Sequence, residues 1–361
     1  MGNKKIGQRI GYGAILVVSV LLLIEAACRI FFWEPLSSDT LKPLAYRPDS
    51  VVNYLYIPNL DFEVNGNRFH VNKQGFLGGD FPDKSSGKFR IAVTGDSFVS
   101  GTLTMSYYTT FVQELQKMLD SAGYRVEVLN CGVDGGARDY DIFKMIPYKI
   151  VPLQPDLVLA ACSLPLATDN LRREPYCGYL MEYPAGNDSI RRAEMRAIDG
   201  MVAWKPWLDA LYHSYMVRLA VKLHYKYGKQ GPWKTYNLMY RSGVHRCFDS
   251  SGRVRFDMRQ SAEMARRLQQ DLQRRNIRLF FFDSFVDPGF MAEAKTYRLP
   301  FINLKAELDR EQGDFFRYDA HPSRRGNRKI AARFCDILIR HELIPPQYGP
   351  QDSAAAVRVK R

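Results

Sequence analysis

The sequence predicts an α/β protein, a three-layer α/β/α domain with a parallel sheet, preceded by an N-terminal transmembrane helix. From Phe89 onward, short β-prone runs alternate with segments of helical periodicity, the pattern of a parallel sheet covered by helices. Before that, an almost wholly apolar run from Ala14 to Ile24 lies within a longer segment, 10–32, that is long enough to cross a bilayer.

The segment 10–32 is predicted to be an uncleaved anchor. Residues 1–9 form a basic tip, and a positive flank stays in the cytoplasm, so the globular part is expected on the periplasmic or extracellular side of the inner membrane. Glu25 and Arg29 stand four residues apart on one helical face, where they can pair. A cleaved signal sequence is the alternative, but Glu25 stands where a lipoprotein cleavage site expects an aliphatic residue.

The predicted elements follow one another in a simple order. Residues 33–88 form a lead-in whose short β-like pieces, such as 67–78, are expected to pack on the edge of the domain, which spans 89–342. The tail, 343–361, is predicted to be disordered. The domain contains a strand at 89–94, a helix at about 106–122, a strand at 124–130, a helix in the 140s, strands at 156–162, 277–285 and 299–304, a helix at 258–276 and a final helix after Ser323.

An insertion at about 171–257 interrupts this alternation. Its aromatic and apolar residues recur at helical spacing among Lys and Arg. Such a segment could cap a site, touch the lipid surface or hold a glycan by stacking. A helix that packs its apolar face on the domain is the commoner outcome of this pattern.

Charge and cysteine content narrow the class of protein. The chain has 361 residues, 46% of them hydrophobic, and a net charge of +13. Its Lys and Arg are scattered and match no nucleic-acid motif, so nucleic acid is not a predicted partner and a solvated basic surface near a membrane is favoured. Six cysteines do not make a disulfide scaffold. Cys131 and Cys162 are expected in the core, whereas Cys177 and Cys247 flank the insertion and could pair.

Three residues suggest nucleophilic catalysis. Ser97 ends the sequence Gly-Asp-Ser directly after the first predicted strand, and Asp319 and His321 stand just before the last helix. The carboxyl ends of parallel strands meet at one edge of a sheet, so the three side chains can meet in space. A serine hydroxyl needs a base to take its proton, and the base needs an acid to orient it. A His321 that only caps the last helix is the alternative.

These motifs resemble those of the SGNH (GDSL-type) hydrolases, in particular the membrane-anchored branch of bacterial cell-envelope and polysaccharide pathways. The resemblance covers 89–170 and 277–340. It implies a flavodoxin-like fold and a serine esterase with catalytic Ser97, His321 and Asp319 and no metal or cofactor. Asn130 to Gly136 resembles the family's second block, so the N–H groups of Ser97 and Gly135 are the implied oxyanion donors.

The family's third block is not matched. The family has Gly-Asn-Asp or Gly-x-Asn-Asp after the third strand, with the Asn side chain donating to the oxyanion, whereas this chain reads ACSLPLATDN. The expected Asn falls on Pro165 or Leu166, neither of which donates from its side chain. Asn170 is the only amide nearby, and an Asx-turn is its better interpretation. Activity is therefore expected to be reduced, or the site repurposed.

The predicted function is a membrane-anchored esterase that acts through an acyl-enzyme on acyl esters of carbohydrate or other envelope substrates, with acetyl the expected acyl group. Two alternatives stay open. An O-acetyltransferase in polysaccharide modification would resolve the same acyl-enzyme with a sugar hydroxyl, within a polysaccharide-synthesis complex. A non-catalytic glycan-binding or scaffold protein is suggested by the unmatched third block, but the retained Ser97, Asp319 and His321 argue against it.

Overall fold

The structure is a computed structural model. It describes residues 2–31, 45–64, 67–84, 87–101, 106–134, 139–162, 171–177, 179–184, 186–212, 214–217, 219–220, 258–283, 288–304, 308–316 and 321–350. Its helices include α1 (Gly2–Phe31), α2 (Ser97–Ser100), α3 (Phe111–Ser121), α4 (Asp139–Met145), α5 (Asp188–Tyr212), α6 (Met258–Arg274), α7 (Pro288–Thr296) and α8 (Arg324–Arg340). Its strands include β1 (Tyr46–Asp49), β2 (Asn53–Tyr56), β3 (Asp61–Val64), β4 (Asn67–His70), β5 (Phe89–Gly95), β6 (Val126–Gly132), β7 (Leu157–Ala161), β8 (Leu171–Tyr176), β9 (Tyr179–Pro184), β10 (Arg278–Asp283) and β11 (Phe301–Asn303).

The central sheet is parallel, as predicted. Its five strands lie in the order β11, β10, β7, β5, β6. Every residue of β5 is buried, as expected for a central parallel strand that is covered on both faces. The chain places β6 on one side of β5 and β7 on the other, so the order of the strands reverses at β5. Clefts in open α/β sheets form at such reversal points, beyond the carboxyl ends of the strands.

Helices cover both faces of the sheet and confirm the three-layer architecture. Successive residues of a strand point to opposite faces. On one face, Val93 lies in a core cluster with Leu115 of α3 and Phe334 of α8. On the other face, Ala92 lies in a cluster with residues from α4 and α6, including Leu272.

The lead-in segment forms two antiparallel hairpins, β1–β2 and β3–β4. The predicted β-like pieces are therefore confirmed. The first hairpin belongs to the same core cluster as α4 and α6, with Leu55 and Tyr56 almost wholly buried. The lead-in is thus an integral part of the hydrophobic core.

The N-terminal helix α1 is long and apolar enough to be a membrane span or a signal sequence, with a mean hydropathy of 2.4 over Tyr12–Phe31. The predicted pairing on its surface is present, with Arg29 Nε 2.9 Å from Glu25 Oε1. The same carboxylate accepts hydrogen bonds from the Ser214 hydroxyl (2.7 Å) and from the N–H groups of Tyr215 and Met216 (2.9 Å each). Glu25 therefore joins α1 to the insertion.

The insertion begins with a hairpin that the sequence analysis did not predict. Strands β8 and β9 pair antiparallel, although Leu-Arg-Arg-Glu-Pro-Tyr in β8 has no apolar alternation. Met181 of β9 is buried against Ile198 of α5, so tertiary packing supplies what the local pattern lacks. Residues 221–257 of the insertion lie outside the described part of the chain.

The predicted start of the disordered tail at 343 was wrong. Leu343 and Ile344 are buried in the core, and the N–H of Arg125 donates to the carbonyl of Tyr348 (2.8 Å). The chain thus packs on the domain through residue 350, and 351–361 lies outside the described residues.

The cysteines follow the sequence prediction where the structure describes them. Cys131 and Cys162 are buried, as expected. Cys177 is exposed and has a φ of 47°. Cys247 lies outside the described residues, so the pairing of Cys177 with Cys247 stays a prediction.

Candidate active site

Ser97 is the first residue of α2 and directly follows the carboxyl end of β5. Asp96 caps this helix, and its carboxylate accepts a hydrogen bond from the N–H of Phe98 (2.9 Å). A side chain at Gly95 would bring a Cβ to 2.5 Å from Val99 Cγ2 and 2.6 Å from Ala161 Cβ. The strand-to-helix turn can therefore be this tight only because residue 95 is glycine, which packs directly against Val99 of α2 and Ala161 of β7.

His321 lies opposite Ser97, and its Nε2 is 2.7 Å from Ser97 Oγ. Its ring stacks near that of Phe98, with 6.3 Å between the ring centroids. The N–H of Phe316 donates to the His321 carbonyl (3.0 Å), and Phe315 forms a β-bridge with Pro322. A nucleophile and a base in direct hydrogen-bond contact are the minimum for activating a serine hydroxyl.

A buried carboxyl lies beside this pair. Asp96 is almost inaccessible to solvent, and burial raises its pKa, with the nearby Asp134 adding to the effect. The hydrogen bond from Phe98 and the charge of His321 act in the opposite direction. The carboxyl end of β5 is thus a desolvated environment, in which electrostatic interactions are stronger than in water.

Two buried residues that the sequence analysis missed hold the His321 segment. Asp314 accepts hydrogen bonds from Lys329 Nζ (2.6 Å) and from the N–H of Asp309 (2.9 Å). Burial opposes ionisation of Asp314, but these bonds outweigh it and lower the pKa. The Asp314 carbonyl accepts from the N–H of Ser323 (2.9 Å), the cap of α8. The start of α8 is thereby tied to the loop before His321.

Asn327 is the second of these residues. Its Oδ1 accepts from the N–H of Phe111 (2.8 Å), and its Nδ2 donates to the carbonyls of Pro322 and Ser323 (3.0 Å each). It therefore ties the start of α3 to the two residues after His321. A sequence signal exists, because Asn327 is a polar residue on the apolar stripe that continues with Ile330 and Phe334.

The other predicted site residues are not described. Asp319, Gly135 and Asn170 lie outside the described residues, as does the unmatched third block from 163 to 170. The structure therefore brings together Ser97 and His321, which are 224 residues apart in the chain, and leaves the other three as predictions. Within the described ranges, no group of three or more His, Cys, Asp or Glu is placed to hold a metal ion.

Among known proteins, similarity to this chain was found only with solved structures. No family model and no curated protein matches the chain. Similar solved structures include a lipolytic G-D-S-L family protein from Veillonella parvula (14% identity, TM-score 0.35, 70% of this chain and 99% of that one). Others are a lipase/acylhydrolase from Enterococcus faecalis (12%, 0.36, 69% and 95%) and the esterase EstA from a Pseudoalteromonas species (10%, 0.36, 70% and 98%).

Proposed function

We propose that the protein is an SGNH-type serine esterase that cleaves acyl esters, with acetyl the expected acyl group, on carbohydrate or other envelope substrates. The observation that carries this proposal is the 2.7 Å contact between Ser97 Oγ and His321 Nε2 at the strand-order reversal of the sheet. Both side chains are partly exposed, so the pair is in contact with solvent. A serine and a histidine in direct hydrogen-bond contact form the core of an acyl-transfer site.

In the proposed reaction, Ser97 Oγ attacks the ester carbonyl while His321 Nε2 takes its proton. Asp319 orients His321 and stabilises the imidazolium. The tetrahedral intermediate collapses, His321 returns the proton to the departing alkoxide, and an acyl-enzyme on Ser97 remains. Water then attacks the acyl carbon with His321 again as the base, which releases the acid and restores the Ser97 hydroxyl.

The oxyanion of each intermediate is assigned to the N–H groups of Ser97 and Gly135. Support for Ser97 comes from the cap of α2. The Asp96 side chain accepts a hydrogen bond from the N–H of Phe98, and the Asp96 carbonyl accepts from the N–H groups of Val99 and Ser100. Neither accepts from the N–H of Ser97. The first N–H groups of a helix have no partner within it, so the Ser97 N–H is available beside its own hydroxyl.

The test of this proposal is covalent labelling. The full-length chain in detergent is treated with a serine-directed fluorophosphonate, digested, and mapped by mass spectrometry, and turnover of p-nitrophenyl acetate is measured on the same preparation. We expect a single major adduct on the peptide that contains Ser97, and loss of turnover in proportion to labelling. A folded protein that gives no adduct, or an adduct elsewhere, contradicts the proposal.

We further propose that α1 anchors the protein in the inner membrane and that the globular domain faces the periplasm. The basic residues before the apolar span support this orientation. Protease added to spheroplasts should digest the chain after about residue 34, whereas intact cells should protect it. Protection in spheroplasts, with digestion only after lysis, would place the domain in the cytoplasm instead.

A further inference from the structure

The carboxylate of Glu25, near the end of α1, accepts four hydrogen bonds. One comes from Arg29 on the next turn of the same helix. The other three come from the insertion, from the hydroxyl of Ser214 (2.7 Å) and the N–H groups of Tyr215 and Met216 (2.9 Å each). The guanidinium carbon of Arg29 lies 5.0 Å from the centroid of the Tyr215 ring. Both charged residues of this pair on α1 therefore contact the insertion.

The contact covers one face of α1. Cys28, one turn after Glu25 on the same face, is only 5% exposed. On the opposite face, Leu23 is 71% exposed and Ile30 is 68% exposed. The protein thus covers α1 on the side of Glu25 and leaves apolar side chains on the other side free to contact lipid.

The charged residues also set the depth of this contact in a bilayer. Arg9 and Arg29 are twenty residues apart, and a helix of that length spans about 30 Å, the thickness of the hydrocarbon core. With these two residues at the boundaries of the proposed anchor, Glu25 lies about 6 Å inside the outer boundary. A carboxylate at that depth is costly unless it is paired. Since the insertion supplies three of its donors, the insertion reaches the same depth.

The insertion also has an exposed tryptophan near this contact. Trp207 is 70% exposed. It stands five residues before the end of α5 at Tyr212, so it lies within about 15 Å of Ser214. Tryptophan is enriched at the boundary between membrane and water, where its apolar ring and its polar N–H both find suitable surroundings. The position of Trp207 therefore fits the boundary that Arg29 marks.

The first half of α5 is fixed to the domain. Arg191 of α5 donates two hydrogen bonds to the carboxylate of Glu174 in β8 (2.7 and 2.8 Å). The Tyr176 hydroxyl, also in β8, donates to Asp199 of α5 (2.9 Å). Strand β8 packs in turn against the hairpin β1–β2, which belongs to the hydrophobic core. The helix α5 therefore connects the core to the segment that contacts Glu25.

We propose that the insertion is a second membrane contact of this protein. Residues 214–217 and Trp207 lie beside α1 at the boundary between headgroups and acyl chains of the periplasmic leaflet. The partner is the bilayer, because this surface is continuous with the span through Glu25. The inference rests on the proposed anchor and not on the esterase chemistry. It assigns α5 the role of a strut that holds the domain in one orientation at the membrane.

The first test is the quenching of tryptophan fluorescence by lipid. The full-length protein is reconstituted at one chain per nanodisc, which excludes a second copy as the partner. The nanodiscs contain phosphatidylethanolamine and phosphatidylglycerol, either unmodified or brominated near the top of the acyl chain. The chain has four tryptophans, so the signal of Trp207 is the difference between the wild type and Trp207→Phe. We expect the brominated lipid to quench this difference signal.

The second test is hydrogen exchange in the same nanodiscs. Glu25→Gln replaces an acceptor-only carboxylate with an amide that is itself a donor. The amides of Tyr215 and Met216 are expected to exchange about tenfold faster or more, because hydrogen bonds to a charged acceptor are stronger than neutral ones. Quenching of Trp207 should fall in the same variant. Leu23→Ala, on the opposite face of α1, is the matched control and should change neither reading. The melting temperature of each variant shows that the domain is folded.

The outcomes separate this inference from the proposed anchor. Quenching of Trp207 that is lost with Glu25→Gln and kept with Leu23→Ala supports the inference. An unquenched Trp207, or exchange and quenching that do not respond to Glu25→Gln, contradicts the inference while the anchor stands. A protein that carbonate extracts from native membranes without detergent contradicts the anchor and the inference with it. Labelling of Ser97 tests the esterase separately.

Discussion

Replacing Ser97 or His321 with alanine is expected to lower kcat for p-nitrophenyl acetate by about 10⁴-fold or more. The reason is the 2.7 Å contact between their side chains. Without the hydroxyl, no acyl-enzyme forms, and without the imidazole, the hydroxyl keeps its proton at neutral pH. The two side chains act as one unit, so the double variant should be no slower than the slower single variant. Initial rates at saturating substrate measure all three.

Two further measurements, rescue by imidazole and the melting temperature, test the roles of Ser97 and His321. His321→Ala should regain part of its activity when free imidazole is added, because the removed ring leaves room beside Ser97, whereas Ser97→Ala should not respond. Both variants should melt close to the wild type, since both side chains are partly exposed. Additive losses in the double variant, or a His321→Ala protein with near-normal kcat, would indicate that the contact is not catalytic.

Gly132→Ala is expected to destabilise the fold and to displace Ser97. Gly132 ends β6, and a Cβ there would lie 2.7 Å from Ser100 Cα and still closer to the Ser100 N, both backbone atoms of α2. Backbone cannot move aside as a flexible side chain can, so α2 must shift and carry Ser97 with it. Overpacking of this kind costs about 1–3 kcal/mol or more, and a 1 Å misplacement of a catalytic group costs about 10²-fold in rate.

The measurement combines the free energy of unfolding in urea with kcat on the folded fraction. Gly79→Ala is the control, because a Cβ at Gly79 meets nothing within 4 Å, and it should change neither quantity. A Gly132→Ala protein with wild-type kcat and stability would show that β6 and α2 are not packed as closely as the structure has them.

Much of the fold could be predicted because it depends on patterns of neighbouring residues in the sequence. β5, β6 and β7 are short, mainly apolar and β-prone segments, and each was predicted to within two residues. The hairpin β8–β9 was missed because β8 has no apolar alternation and the buried Met181 of β9 packs on a distant element, α5. Leu343 and Ile344 were placed in a tail for a similar reason, because two apolar residues after a helix are too few to show a hydrophobic periodicity.

The amino-acid sequence by itself determined the α/β class, the apolar N-terminal helix and the identity of Ser97 and His321 as candidates, because each depends on residues close together in the chain. Only the tertiary structure decided that Ser97 and His321 touch, since that contact spans 224 residues. It alone revealed the hydrogen bonds by which Asp314 and Asn327 hold Pro322 and Ser323, the two residues after His321. Those contacts depend on how separate elements pack together, and no local pattern encodes such packing.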